Sequence, residues 1–200
     1  MWRNRGRCGS PARSASRSSG RDPPVAEQQE PVEAFIAVGS NIEPEQHLLT
    51  ALDRLKEKVP VTAVSTVYRT EPVGRPEQPG YLNSIWKILT SESPRALKFD
   101  VLRPLEAALG RVRSEDRYAP RTIDLDILLY GNAVIRERGL EIPDPDLRRR
   151  PFLAAGVLEL APGLVLPDTG EALLELVKVQ AAELKPAVEF TKRLRDRLKP

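Results

Sequence analysis

The chain has 200 residues, 40% of them hydrophobic, with one cysteine (Cys8) and one histidine (His47); that suits one domain and excludes a disulfide framework, a Cys-based zinc site and a His-rich metal site. The net charge of +3 lies in residues 1–30, where six arginines meet three acids, while the remaining residues balance 25 basic with 25 acidic side chains. A nucleic-acid binder carries its basic footprint on the fold, and no apolar run approaches the ~20 residues of a membrane helix, so neither nucleic acid nor membrane is expected as a partner and the expected location is the cytoplasm.

Residues 1–31, rich in Arg, Ser, Gly and Pro, read as a disordered leader, because they cannot bury enough apolar surface to offset the entropy of ordering. The Arg-rich, acid-poor stretch 1–21 also resembles an organellar transit peptide, so import is the alternative to a plain extension or a misplaced start.

The domain is expected over 32–183. AFIAVGS (34–40) reads as a short buried strand ending in a Gly-Ser-Asn turn. Pro44 to Lys58 reads as a helix with Leu48, Ala51, Leu52 and Leu55 on one face and His47 exposed. VTAVSTVYRT (61–70) is β-branched and alternating, hence one strand. Three prolines and two glycines make 71–80 a long loop. YLNSIWKILT (81–90) is a third strand, with Tyr81 and Asn83 on one face. Ser93-Pro94 opens a second helix that runs to Leu109, stops at Gly110 and is expected to kink at Pro104. An Arg-rich loop, 111–121, leads into a strand over 122–130. The order βαββαβ predicts an α+β, ferredoxin-like antiparallel sheet. Short extended pieces near 133–142 and added C-terminal helices near 149–160 and 171–182 follow, and 184–200 reads as a charged tail prone to fraying.

The strand 122–130 carries the chemistry. Ile123, Leu125, Ile127 and Leu129 are assigned to its core face, and Asp124 and Asp126 to the other. Two carboxylates so placed can hold hard dications such as Mg²⁺; an acidic solvent face is the plain alternative. Arg111, Arg113, Arg117 and Arg121 approach the same strand, and guanidinium groups grip phosphate oxygens with paired donors. Tyr81 and Asn83 offer a stacking ring and a donor–acceptor pair for a heterocycle edge, with Thr70 and Pro72 nearby. There is no P-loop segment and no Gly-x-Ser-x-Gly elbow.

The motifs AVGSN (37–41), YRTEPVG (68–74), QPGYLN (78–83), LEAALGRVR (105–113) and PRTIDLDILLYG (120–131) together resemble the 6-hydroxymethyl-7,8-dihydropterin pyrophosphokinase family from about Ala34 to Asp168. The resemblance implies transfer of diphosphate from ATP to the hydroxymethyl group of the dihydropterin alcohol, releasing AMP, in folate biosynthesis. It implies two Mg²⁺ ions on Asp124 and Asp126. It gives Arg113 and Arg121 to catalysis and phosphate binding, and Glu106 and Arg111 to ATP. Thr70, Pro72, Val73, Tyr81, Asn83 and Phe152 are implied as the pterin pocket, with Phe152 opposite Tyr81. A monomer is expected. The chain departs from the family pattern at Asp144, where His is usual, at Arg103, where Gln is frequent, and at Tyr118-Ala119 in place of an aromatic–Gly pair. An anion at 144 repels phosphate unless it is turned away or bound to a cation. Two rivals remain: a two-metal nucleotidyltransferase on the same fold, which would release pyrophosphate, and a non-catalytic module for RNA or a regulatory ligand, which would consume no ATP.

Overall fold

β1 (Val32–Ser40) is the middle of the structure, pairing antiparallel with β4 (Tyr81–Thr90) on one side and β5 (Asp124–Tyr130) on the other. The computed structural model describes residues 30–72, 74–113, 116, 118–177 and 184–199; all but the last two residues of the expected leader, and Val73 and Arg117, lie outside the described residues. β2 (Val61–Val64) and β3 (Tyr68–Thr70) both pair antiparallel with β4, giving the order β5-β1-β4-β3 of a ferredoxin-like sheet. α1 (Pro44–Lys56) and a second helical segment over 94–108 supply the two crossovers.

α1 forms where expected and buries Leu48, Ala51, Leu52 and Leu55. Each such leucine contributes roughly 1.5–3 kcal/mol by leaving water. The helix has no side-chain N-cap; instead Glu43 is left-handed (φ 41°) and His47 Nδ1–H donates to the Ile42 carbonyl at 2.7 Å. His47 is therefore half-buried rather than exposed. The second helical segment is α2 (Pro94–Ala96), a π-helical stretch Leu97–Leu102, then α3 (Arg103–Ala108). Pro104 lacks an N–H and crowds the carbonyl four residues earlier, and the wider π turns just before it meet that constraint.

The sheet has two occupied faces. Ala34, Ile36, Val38, Leu82, Trp86, Ile88, Leu125 and Ile127 join the α1 side. Phe35, Ile85, Leu128 and Leu129 pack instead against α4 (Pro151–Leu160) and α5 (Leu173–Val177). Leu129 is thus not on the face shared by Ile123, Leu125 and Ile127. The register slips between Phe35 and Ile36, leaving Leu128 as an extra residue in β5, and an inserted residue turns the following side chains over.

Two further expectations are corrected. The strand 61–70 is broken at 65–67, where backbone groups are met by side chains: Thr66 N–H by Glu159 (2.8 Å) and Val67 N–H by Thr191 Oγ1 (2.9 Å). The tail 184–200 is not a fraying end over its described residues. β8 (Lys185–Pro186) pairs with β3, and α6 (Val188–Asp196) buries Phe190, Thr191 and Leu194. β6 (Ile135–Glu137) and β7 (Leu140–Ile142) form a separate hairpin. Among the described residues no helix is long and apolar enough to cross a membrane.

Candidate active site

The cleft lies on the α4 face of the sheet, at the end that α4 leaves open. The register lines it up across three strands: Asp124 opposite Gly39 opposite Asn83, and Asp126 opposite Ala37 opposite Ile85. Ala37 and Gly39 make a floor almost without side chains between the aspartates and Asn83. A Cβ at Gly39 would stand 2.6 Å from Asn83 Oδ1, so only glycine permits this approach. The cleft has a volume of about 120 Å³ and is lined by Asp124, Asp126, Asp144, Arg121, Arg150 and Phe152, among others.

Asp124 and Asp126 share one face, as the spacing predicts, but their surroundings differ. Asp124 is paired with Arg121 and, at 2.5 Å, with Arg111. Asp126 faces Lys98 Nζ at 3.1 Å and is the more open of the two. Burial lowers the pKa of Arg121, but the charge and hydrogen bond of Asp124 outweigh it and leave the guanidinium above its ordinary value.

Glu106 lies beneath β5, 1% exposed. Its Oε1 accepts the Leu125 N–H at 2.8 Å and its Oε2 pairs with Arg113. Arg111 is turned inward too, donating to the Ile123 carbonyl at 2.7 Å. Burial pushes the Glu106 pKa up, against the Arg111 charge and the Leu125 amide. Glu106 therefore faces its two arginines and the β5 backbone.

On the other side, Thr70, Pro72, Tyr81 and Asn83 line one adjoining hollow of about 350 Å³. Asn83 Nδ2–H donates to Thr70 Oγ1 at 2.8 Å. Phe152 lines the main cleft instead, and the two spaces share Asn83, Arg121, Asp146 and Arg150. Burial raises the pKa of the Tyr81 phenol, partly offset by Arg121.

Several residues at the site escaped sequence reasoning. Arg150 borders both spaces and pairs with Asp146 at 2.9 Å; its signal was the Arg run 148–150 before Phe152. Asn41 ties the end of β1 to both loops: its Oδ1 accepts Arg121 N–H at 2.7 Å and its Nδ2–H reaches Gln78 Oε1 at 3.3 Å. Gln78 Nε2–H donates to the Tyr118 carbonyl (2.9 Å) and Arg75 pairs with Asp116 (2.5 Å), so the loops over 71–80 and 111–121 are clasped together. Asp144 is partly turned away from the cleft, its Oδ1 accepting the Asp146 N–H at 2.8 Å to cap a short 3₁₀ turn, Pro145–Arg148. Burial is the main cause that pushes its pKa up, to about 6, with Asp126 and Asp146 adding and Lys98 opposing.

Residues 35–162 match the family model described as 7,8-dihydro-6-hydroxymethylpterin-pyrophosphokinase (HPPK). The 2-amino-4-hydroxy-6-hydroxymethyldihydropteridine pyrophosphokinase of Haemophilus influenzae is 40% identical over 150 residues, which span 74% of this chain and 92% of the relative. The protein of that name from Pseudomonas aeruginosa is 39% identical over 147 residues, 72% of this chain and 88% of its own. Among solved structures, a Plasmodium falciparum HPPK-DHPS triple mutant with STZ-DHP superposes with a TM-score of 0.60 over 87% of this chain, at 12% identity. This chain spans 46% of that one, and the likeness bears on the fold alone. The chain belongs to the 7,8-dihydro-6-hydroxymethylpterin-pyrophosphokinase family, and it is an ATP-dependent pyrophosphokinase of folate biosynthesis.

Proposed function

We propose that the reaction runs in the Asp124–Gly39–Asn83 cleft. The hydroxymethyl oxygen of the dihydropterin attacks the β-phosphorus of ATP, the bond from that phosphorus to the oxygen bridging to the α-phosphate breaks, and AMP leaves. The single observation that carries this reading is the cross-strand line itself. It sets a carboxylate pair beside arginines at one end and a heterocycle-sized polar edge at the other, over a floor of Ala37 and Gly39.

Thr70, Pro72, Tyr81, Asn83 and Phe152 hold the pterin in this reading, with Asn83 oriented by Thr70; Val73 belongs to the same expectation and lies outside the described residues. Arg113 and Arg121 meet the phosphates, and Arg150, which borders both spaces, joins them where the substrates touch. Such transfers depend mainly on positioning and on neutralising charge, so no strong protein base is needed. Glu106 and Arg111 serve the nucleotide by holding Arg113 and Asp124 in place.

Mg²⁺ fits the donor set: two hard carboxylates on one strand face, open to the cleft, as an ion that prefers oxygen requires. Among the described residues no group of three or more metal-ligating side chains gathers, so Asp124 and Asp126 would be the protein's share of the ligands and oxygens from phosphate and water would supply the rest. Asp124 and Asp126 would hold the two expected ions, sharing or exchanging their present partners Arg111, Arg121 and Lys98. Mg²⁺ bound there supplies charge neutralisation of the phosphates and a lower proton affinity of the attacking oxygen.

The test is a product analysis. The protein is incubated with Mg²⁺, ATP and 6-hydroxymethyl-7,8-dihydropterin. AMP together with a pterin diphosphate is expected; ADP, or pyrophosphate, would overturn the reading.

A further inference from the structure

We infer that Thr191, in the C-terminal helix, is a positioning residue for the pterin side of the cleft. The inference rests on the reading above, in which Thr70 and Asn83 face the pterin. α6 lies beyond residues 35–162, the part of the chain that matches the family model, so its role has to come from its own contacts.

Those contacts converge on the break between β2 and β3. Ala187 N–H donates to the Val67 carbonyl at 2.7 Å, Val67 N–H donates to Thr191 Oγ1 at 2.9 Å, and Thr191 Oγ1–H donates back to the Ala187 carbonyl at 2.9 Å. The three bonds close a ring around Val67, which is 0% exposed. On either side of it, Thr66 N–H is held by Glu159, which pairs with Arg195 of α6, and Arg195 Nε–H donates to the Val64 carbonyl at 3.1 Å. α6 is itself anchored on α1 through Arg193–Glu45 and Arg197–Asp53, and by burial of Phe190 and Leu194.

β3 begins at the next residue and is only three residues long. It carries Thr70, pairs Thr70 with Tyr81 and Tyr68 with Asn83 across β4, and is backed on its other edge by Lys185 and Pro186. A strand this short has few ladder partners, so the direction in which it leaves Val67 also sets where Thr70 stands. Removing the Thr191 hydroxyl leaves a buried N–H without a partner, a cost the chain relieves by moving Val67. Thr70, three residues on, moves with it, and Asn83 loses its orienting acceptor. Asp124, Asp126 and Glu106 are on the far side of β1 and are untouched.

The test is steady-state kinetics on the full chain, varying each substrate separately. Thr191→Val is expected to raise KM for the dihydropterin about fivefold, the worth of roughly one buried hydrogen bond, with KM for ATP and kcat within about twofold. Thr191→Ser, which keeps the hydroxyl, is expected to restore the wild-type KM. Glu159→Gln, which weakens the hold on Thr66, is expected to shift the pterin KM in the same direction and keeps the inference testable if Thr191→Val does not fold. A folded Thr191→Val or Glu159→Gln with an unchanged pterin KM overturns the inference, as does an equal rise in both KM values. Thr70→Val separates the two readings. If it leaves the pterin KM unchanged, the pterin pocket is misassigned. If it raises that KM while Thr191→Val does not, only the role of Thr191 falls.

Discussion

Glu106 accepts the amide proton of Leu125, the residue between the two cleft aspartates, at 2.8 Å. β5 pairs with β1 along one edge, and on the other a buried carboxylate stands where a further strand would be. The same carboxylate meets Arg113 and lies 3.6 Å from Arg111. Side chains alternate along a strand, so gripping Leu125 fixes the direction of Asp124 and Asp126. Glu106→Ala leaves the buried Leu125 amide without its acceptor and takes a counter-charge from Arg111, which keeps Asp124 and the Ile123 carbonyl, and should cost about 2–3 kcal/mol of stability. Urea unfolding measures it; a loss below about 1 kcal/mol, the range of an exposed pair, would contradict the description.

Asp126 and Asp124 should separate in their effect on stability. Asp126→Asn is expected to cut kcat about a hundredfold or more, the scale of losing one charge-stabilising group, with little change in unfolding midpoint, since Asp126 is the solvent-open half of its part-buried pair with Lys98 and Asn keeps an oxygen for Nζ. It should also raise the Mg²⁺ concentration needed for half-maximal rate. Asp124→Asn should match the loss of rate and also destabilise by about 1–2 kcal/mol, because Arg111, whose side chain is 10% exposed, loses its nearest counter-charge and keeps only Glu106 at 3.6 Å and the Ile123 carbonyl. Activity with magnesium-free ATP in the presence of a chelator would remove the metal from the account.

Gly39→Ala places a methyl group 2.6 Å from Asn83 Oδ1. The side chain of Asn83 has to turn, breaking its 2.8 Å bond to Thr70. Affinity for the dihydropterin, followed by fluorescence titration, should fall about tenfold, one hydrogen bond plus a steric displacement. ATP binding should stay as it is.

Asp144 yields a prediction in pH. Its carboxyl is raised from the ordinary 3.8 to about 6, mainly by burial. The folded chain therefore holds this proton more tightly than the unfolded chain. The stabilising contribution is complete below about pH 4 and is lost as pH rises through 6. Asp144→Asn keeps an oxygen for the Asp146 amide and removes the charge. In metal-free buffer its Tm should exceed that of the wild type by roughly 5 °C at pH 7.5 and converge with it near pH 4. A difference that grows toward acid pH would reverse the assigned sign.

Much of this arrangement is legible in the sequence where the signal is local. The α1 face follows from Leu48, Ala51, Leu52 and Leu55 at helical spacing, and the shared side of Asp124 and Asp126 follows from their separation by two. Other features depend on distant partners. The extra residue at Leu128 is set by pairing with β1, and nothing in ILLY announces it. The interruption at 65–67 exists because Glu159 and Thr191, far along the chain, supply the missing bonds. Arg113 and Arg121 look alike in sequence, yet one pairs with Glu106 and the other with Asp124. The C-terminal helix did carry a signal: Phe190, Leu194 and Leu198 recur every four residues beneath the dense charge, a stripe suited to burial.

Along β1 the odd positions from 35 to 39 run from Phe through Ala to Gly, while the even ones, Ile36 and Val38, fill the opposite side. Inserting or deleting a single residue there would trade the two sets. Aliphatic side chains would fill the space meant for substrates, and two near-empty positions would open a hole under α1. The nine-residue strand beneath this pyrophosphokinase's cleft has no spare increment in its length.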